Sequence, residues 1–434
     1  MNYYSTAGDK SKTTLQEAVV RGLASDKGLF MPEELKKLAE SFYENIADMS
    51  LQDIASAVAV HLFGEDIPED KISQIAKEAL DFDIPLVEVE EGIYSLELFH
   101  GPTFAFKDVG ARFMARMLSY FVKEESQDMV NVLVATSGDT GSAVANGFLG
   151  VDGIRVFVLY PSGKVSDIQE AQFTTLGKNI VAIEVDGTFD DCQALVKSAF
   201  MDDNLKSQMN LTSANSINVA RFLPQSFYYF YAYAQLMKMG VEKDVVVSVP
   251  SGNLGNLTAG LFAKHMGLDI KRFIAANNRN DVFFNYLQTG DYAPKASVQT
   301  IANAMDVGNP SNFDRILDLY NHSHESISAD ISGFRYTDEE IRDIIEQVYS
   351  EKGYLLDPHG ACAYMATKED LKPGEVGVFL GTAHPAKFKD VVEECIKHLV
   401  EVPDRLAAFM KEDKQTIKIS ANYSEFRNLL LENA

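Results

Sequence analysis

VNVLVATSGDTGSA, Val130 to Ala143, is an unbroken apolar run, then a turn of small hydroxyl residues and glycines, then the start of a helical pattern. Continuous rather than alternating hydrophobicity marks a strand covered on both faces, the habit of parallel sheets flanked by helices. The same succession recurs at DVVVSVPSGNLGN, Asp244 to Asn256. Further apolar runs at RVFVLY (155–160), NIVAIEV (179–185), KRFIAA (271–276) and EVGVFL (375–380) alternate with helical spacing. The fold class is therefore open α/β, and ligands are expected beyond the carboxyl ends of the strands. Both glycine loops lie at that end.

Working outward, 434 residues correspond to two or three domains at ~150 residues each. Residues 1–95 read as a mostly helical lead-in, with IPEDKISQIAKEAL (67–80) spaced as a helix after a proline. A smaller α/β domain is expected over 96–240 and a larger one over 241–434. Ser166 with Gln169, and Thr337 with Glu340, are spaced as capping boxes. The polar stretch from Asn277 to Arg335 reads as a loop-rich insertion, and the tail after Pro403 as a peripheral helix and a closing strand.

Composition narrows the partners. A net charge of −24 disfavours nucleic acid and anionic membranes, so an anionic substrate needs a locally positive pocket. Cys192, Cys362 and Cys395 are too few and too scattered for a disulfide framework or a zinc site, which fits a reducing cytoplasm. Neither a signal peptide nor an apolar run of ~18 residues is present, so the chain is expected to be soluble.

Three runs carry the chemistry. HGPTFAFKD (100–108) sets Lys107 among apolar neighbours, and desolvation makes an amine easier to deprotonate and to condense with an aldehyde. Read alone, Lys107 fits equally a lysine that carries its charge to the surface or pairs with Asp108. In PSGNLGN (250–256), Gly252 and Gly255 let the main chain approach an anion, with Asn253, Asn256 and backbone N–H groups as donors; a plain strand-to-helix turn is the alternative. ATSGDTGSA (135–143) offers Ser137, Thr140 and the helix start at Gly141 to a carboxylate, although Asp139 is awkward there. SANSINVAR (213–221) can hold a phosphoryl group through Arg221, or it is a capped helix start with Arg221 as a surface charge. GTAHPAKF (381–388) puts Thr382 at a strand end, and His384 and His359 suit packing or capping as well as chemistry. Walker and dinucleotide fingerprints are absent.

In order and over nearly the whole chain, these runs, with DKGLFMPEEL (26–35), LYPSGKVSDIQEAQF (159–173) and NAMDVGNPSNF (303–313), resemble the threonine synthases. Those are pyridoxal-phosphate enzymes of the tryptophan-synthase-β fold type (fold type II), with two open α/β domains. The resemblance implies pyridoxal 5'-phosphate held by a Schiff base to Lys107. It implies that Gly252, Asn253, Leu254, Gly255 and Asn256 bind its phosphate and that Thr382 faces its ring nitrogen. Ser137, Gly138, Asp139, Thr140 and Gly141 would take the substrate carboxylate, and Ser216 with Arg221, joined by Thr140, the phosphate of O-phospho-L-homoserine. Phe104 and Phe106 would keep the site dry. The implied reaction forms L-threonine and phosphate; a related phospho-lyase or serine/threonine dehydratase is the alternative. Asp139 stands where many enzymes of the broader fold type carry Asn, and Ala7 where the family often has Arg. The long N-terminal extension of the S-adenosylmethionine-regulated forms is missing, so regulation of that kind is not expected.

Overall fold

The computed structural model describes residues 1–9, 11–125 and 129–433. The apolar runs become strands Val130–Ala135, Ile154–Pro161, Ile180–Asp186, Asp244–Pro250, Arg272–Asn277 and Glu375–Gly381, nearly all buried. They divide between two sheets. A five-stranded sheet, parallel throughout, runs in the order 417–420, 180–186, 154–161, 130–135, 210–213. A six-stranded sheet runs 331–335, 272–277, 244–250, 375–381, 93–97, 86–90, with only the last pair antiparallel.

The two sheets interleave along the chain. The hairpin 86–97 joins the sheet built mainly from residues beyond 241, and strand Ile417–Ser420 returns to the sheet of the middle segment. A division at 95 and 240 therefore describes chain order rather than sheet membership.

The lead-in is helical, with Leu15–Arg21, Glu40–Asn45, Leu51–Phe63 and Glu69–Ala79. Thr14 and Glu17 close a reciprocal cap, and Pro68 ends the extended approach to the fourth helix. An unforeseen two-stranded sheet, Tyr3–Ser5 with Phe30–Pro32, ties the first residues down. The cap at Thr337 and Glu340 is reciprocal as expected. At Ser166 it is one-sided: Gln169 Oε1 accepts the Ser166 hydroxyl at 3.1 Å rather than its amide, with the Gln169 Nε2 held by Asp139 at 2.8 Å.

The stretch 277–335 is more ordered than a loop-rich insertion. It holds helices Val282–Thr289, Phe313–Leu319 and His324–Asp330 and the edge strand Ile331–Arg335. Its polar residues are consumed internally: buried Asn278 donates to buried Thr300 and half-buried Asp306 at 2.8 Å each. No helix among the described residues is long and apolar enough to cross a membrane.

Candidate active site

Four strand ends meet at one pocket. Lys107, Ser137, Thr140, Ser216, Arg221, Thr382 and the whole of Gly252 to Asn256 line it. Lys107 opens the helix Lys107–Glu125, and the residues before it dock on the end of the larger sheet: the Phe106 amide donates to the Thr382 carbonyl at 2.9 Å, and Ala105 bridges Ala383. The lysine is thus fixed to one sheet while its helix runs towards the other. Its neighbour Asp108 does not pair with it; that carboxylate accepts from the Thr103 amide and hydroxyl at 2.8 and 2.7 Å. Desolvation pulls the Lys107 ammonium down to about 8, against the field of Asp139 and aided by Lys387 and Arg221.

The loop 252–256 is shaped by close approach. A Cβ on Gly252 would lie 2.8 Å from Met305 Cα and 2.9 Å from the Ala304 carbonyl, and Leu254 is in the left-handed region at φ 60° before helix Gly255–His265 begins. Asn253 is not a free donor as the sequence suggested. Its amide donates to Ser216 Oγ at 2.9 Å and its oxygen accepts the Ser311 amide at 2.6 Å, so it braces the loop instead. Asn256 is different. Its oxygen accepts from the Tyr228 and Tyr229 hydroxyls at 2.6 and 2.7 Å, while its buried Nδ2 has no partner within the protein. That is the signature of a donor waiting for a ligand acceptor.

In the loop 137–141 the structure is selective. The amides of Gly138 and Gly141 both donate to Thr136 Oγ1, at 2.9 and 2.8 Å, and neither glycine lines the pocket. Ser137, Thr140 and the backbone amides of Asp139 and Thr140, at the start of helix Asp139–Phe148, remain available. Asp139 does not line the pocket; its carboxylate forms a buried ion pair with Lys387 at 2.6 Å. Burial works against its charge, yet Lys387, Lys107 and the Gln169 amide hold its carboxyl well below the usual range.

Arg221 is 3 % exposed. Its Nε donates to the Ala214 carbonyl at 2.7 Å and Nη1 to the Lys107 carbonyl at 3.1 Å, and no carboxylate pairs with it among the described residues. Burial draws its guanidinium down to about 10, with Asp108 opposing, so it stays charged at neutral pH. Beside it Ser216 Oγ accepts from both Asn253 and Asn312, at 2.9 and 3.1 Å, leaving its own proton to donate elsewhere. Behind Ser216, fully buried Arg315 donates to the carbonyls of Phe30, Ser216 and Ile217 and lies 4.0 Å from the Phe222 ring centroid. A positive wall has been built inside a strongly acidic protein.

Thr382 lines the pocket with a hydroxyl that makes no hydrogen bond among the described residues. Phe106 walls the site, but Phe104 does not; it packs between His384 and the Arg405 guanidinium. His384 caps the turn after Thr382, accepting the Ala386 amide at 3.1 Å, and burial lowers it to about 4. His359 lines the pocket, with Nδ1 2.6 Å from Asp357 and Nε2 accepting the Ala304 amide at 3.1 Å, so it anchors the wall 303–307.

The chain matches the profile of the family described as "Pyridoxal-phosphate dependent enzyme" over residues 83–382, "Threonine synthase N terminus" over 2–80 and "Threonine synthase, C-terminal" over 360–429. It is 43 % identical to the threonine synthase of Haemophilus influenzae, with 100 % of both chains covered. The crystal structure of threonine synthase from Escherichia coli superposes with a TM-score of 0.94 at 40 % identity, again over 100 % of each chain. A PLP-bound threonine synthase from Brucella melitensis superposes at 0.92 and 33 % identity, covering 100 % of this chain and 99 % of that one.

Proposed function

We propose, given that the chain belongs to the threonine synthase family of pyridoxal-phosphate-dependent enzymes, that its substrate is O-phospho-L-homoserine, converted with water to L-threonine and phosphate. Its cofactor is pyridoxal 5'-phosphate. What carries the choice of a phosphorylated substrate is Arg221, a buried guanidinium with no carboxylate partner among the described residues, facing the same pocket as a lysine held near 8. A charge left unpaired in the interior is costly, and an incoming dianion offsets that cost.

The residues present fit the cofactor. The partnerless Asn256 Nδ2, the amides at the start of helix Gly255–His265 and the glycine-lined approach at Gly252 suit its phosphate. The free Thr382 hydroxyl suits its ring nitrogen, as a neutral partner that leaves the ring largely unprotonated. When bound, the cofactor supplies an aldehyde for the lysine amine and a ring that takes up negative charge from the substrate carbons.

Lys107, neutral in a good fraction of molecules near pH 8, removes and returns protons along the substrate backbone. Ser137, Thr140 and the amides of Asp139 and Thr140 bind the substrate carboxylate, while Ser216 and Arg221 hold the departing phosphate. Phe106 excludes water from the face it covers. The unit 96–240 thus supplies the lysine and the substrate-binding groups, and 241–434 the cofactor-phosphate loop and Thr382. Three buried, unpaired cysteines support a reducing, cytoplasmic setting.

Purified protein is expected to be yellow and to release phosphate from O-phospho-L-homoserine; coloured protein that releases none would reject the substrate. Asn256→Asp keeps both tyrosine bonds but turns an acceptor-only oxygen on the cofactor phosphate. Retention of pyridoxal phosphate, measured by dialysis and absorbance, is expected to weaken about ten- to hundredfold. Unchanged retention would remove Asn256 from the phosphate site.

A further inference from the structure

A carboxylate in a loop that receives anions demands a reason, and the reason lies on the far side of the pocket. Lys387 stands in the short turn Pro385–Phe388, just after Thr382. Its side chain is fully buried, its Nζ 2.6 Å from Asp139 Oδ1 and 2.8 Å from the Thr103 carbonyl. Gln169 adds a second donor to the same carboxylate oxygen at 2.8 Å. Asp139 Oδ1 is therefore held by two partners other than Lys107. The Lys107 side chain, by contrast, has no hydrogen bond or ion pair among the described residues, only the Phe106 ring 5.3 Å from its Nζ.

The charged groups facing Lys107 are Asp139, Lys387 and Arg221; Asp108, next along the helix, is occupied by Thr103. Asp139 is the one acid among those that act on it. Without Lys387, the charge of that buried carboxylate would act on Lys107 unopposed and favour it as an ammonium, which cannot attack an aldehyde.

We propose that Lys387 is a positioning residue for Lys107: by taking the Asp139 carboxylate for itself, it shields Lys107 from that charge and leaves the amine free to condense with the cofactor aldehyde. This rests on Lys107 being the condensing lysine. Condensation forms a C=N bond between Nζ and the aldehyde carbon and releases one water, so no oxidant or further reactant is required.

The test uses full-length protein stripped of cofactor, to which pyridoxal phosphate is added, with covalent uptake followed by visible absorbance as a function of pH. The parent is expected to show a midpoint near 8. Lys387→Met should move that midpoint up by about one pH unit or more, slowing uptake at neutral pH about tenfold. Lys387→Arg should keep the parent midpoint, and Lys387→Met combined with Asp139→Asn should restore it, since the pair is then removed as a pair. Asp139→Asn alone leaves the Lys387 charge unopposed and should lower the midpoint. An unmoved midpoint in Lys387→Met, no restoration in the double variant, or an Asp139→Asn midpoint at or above the parent's overturns the proposal. Covalent uptake by Lys107→Ala would instead overturn the assignment of Lys107 itself.

Discussion

Replacing Lys107 by alanine is expected to abolish turnover, lowering kcat by roughly four orders of magnitude or more, because one amine serves as covalent anchor and proton carrier. The visible absorbance of the bound cofactor should be lost with it. The fold should survive, since the Lys107 side chain makes no hydrogen bond or ion pair among the described residues whose partner would be stranded. With the group drawn down to about 8, the unfolded chain binds more protons than the folded one from there up to the ordinary lysine value, so stability rises with pH across that window. Below the window the ammonium is a burden that alanine lacks. Calorimetry on both proteins without cofactor is expected to give the variant an equal or higher Tm at neutral pH. A variant that stayed yellow and active would remove Lys107 from the chemistry.

Arg221→Ala is expected to cost about 10²- to 10³-fold in kcat/KM for the phosphorylated substrate, the usual size of a charge-assisted contact to a dianion in a desolvated site. Inorganic phosphate should lose its competitive inhibition in parallel. Equal losses on phosphorylated and unphosphorylated hydroxy-amino acids would point to a dehydratase instead. In the parent, phosphate is expected to raise Tm, because it binds only the folded state and offsets the buried charge there; in Arg221→Ala that rise should vanish.

The long strands were legible because each is an apolar run of six to eight residues buried on both faces, as at Ile154–Pro161. The short ones were not. Tyr3–Ser5 and Phe30–Pro32 have three residues each, and their pairing is decided by contacts far apart in sequence. The pocket loops were legible as loops, but which atoms stay free in them was not. Asn253 and Asn256 look alike in PSGNLGN, and what separates a brace from a donor is that Ser216 Oγ takes the Nδ2 of the first while the Nδ2 of the second has no partner among the described residues.

Lys387 was overlooked although its signal was present. It sits between Ala386 and Phe388, the kind of apolar company that drew attention to Lys107, and Asp139 was visibly a negative charge in need of a cation. Reading those two oddities together would have paired them. Gln169 shows the converse limit, since its spacing from Ser166 predicts a reciprocal cap, yet its oxygen takes the Ser166 hydroxyl and its amide a partner thirty residues away.

The return of Ile417–Ser420 to the side of Ile180–Asp186 bears on how the protein is made. Until residue 420 has left the ribosome, the nascent chain carries an open strand flank at 180–186, able to pair with a neighbouring polypeptide. Trimming the gene just before that point should therefore yield inclusion bodies rather than a weakened enzyme.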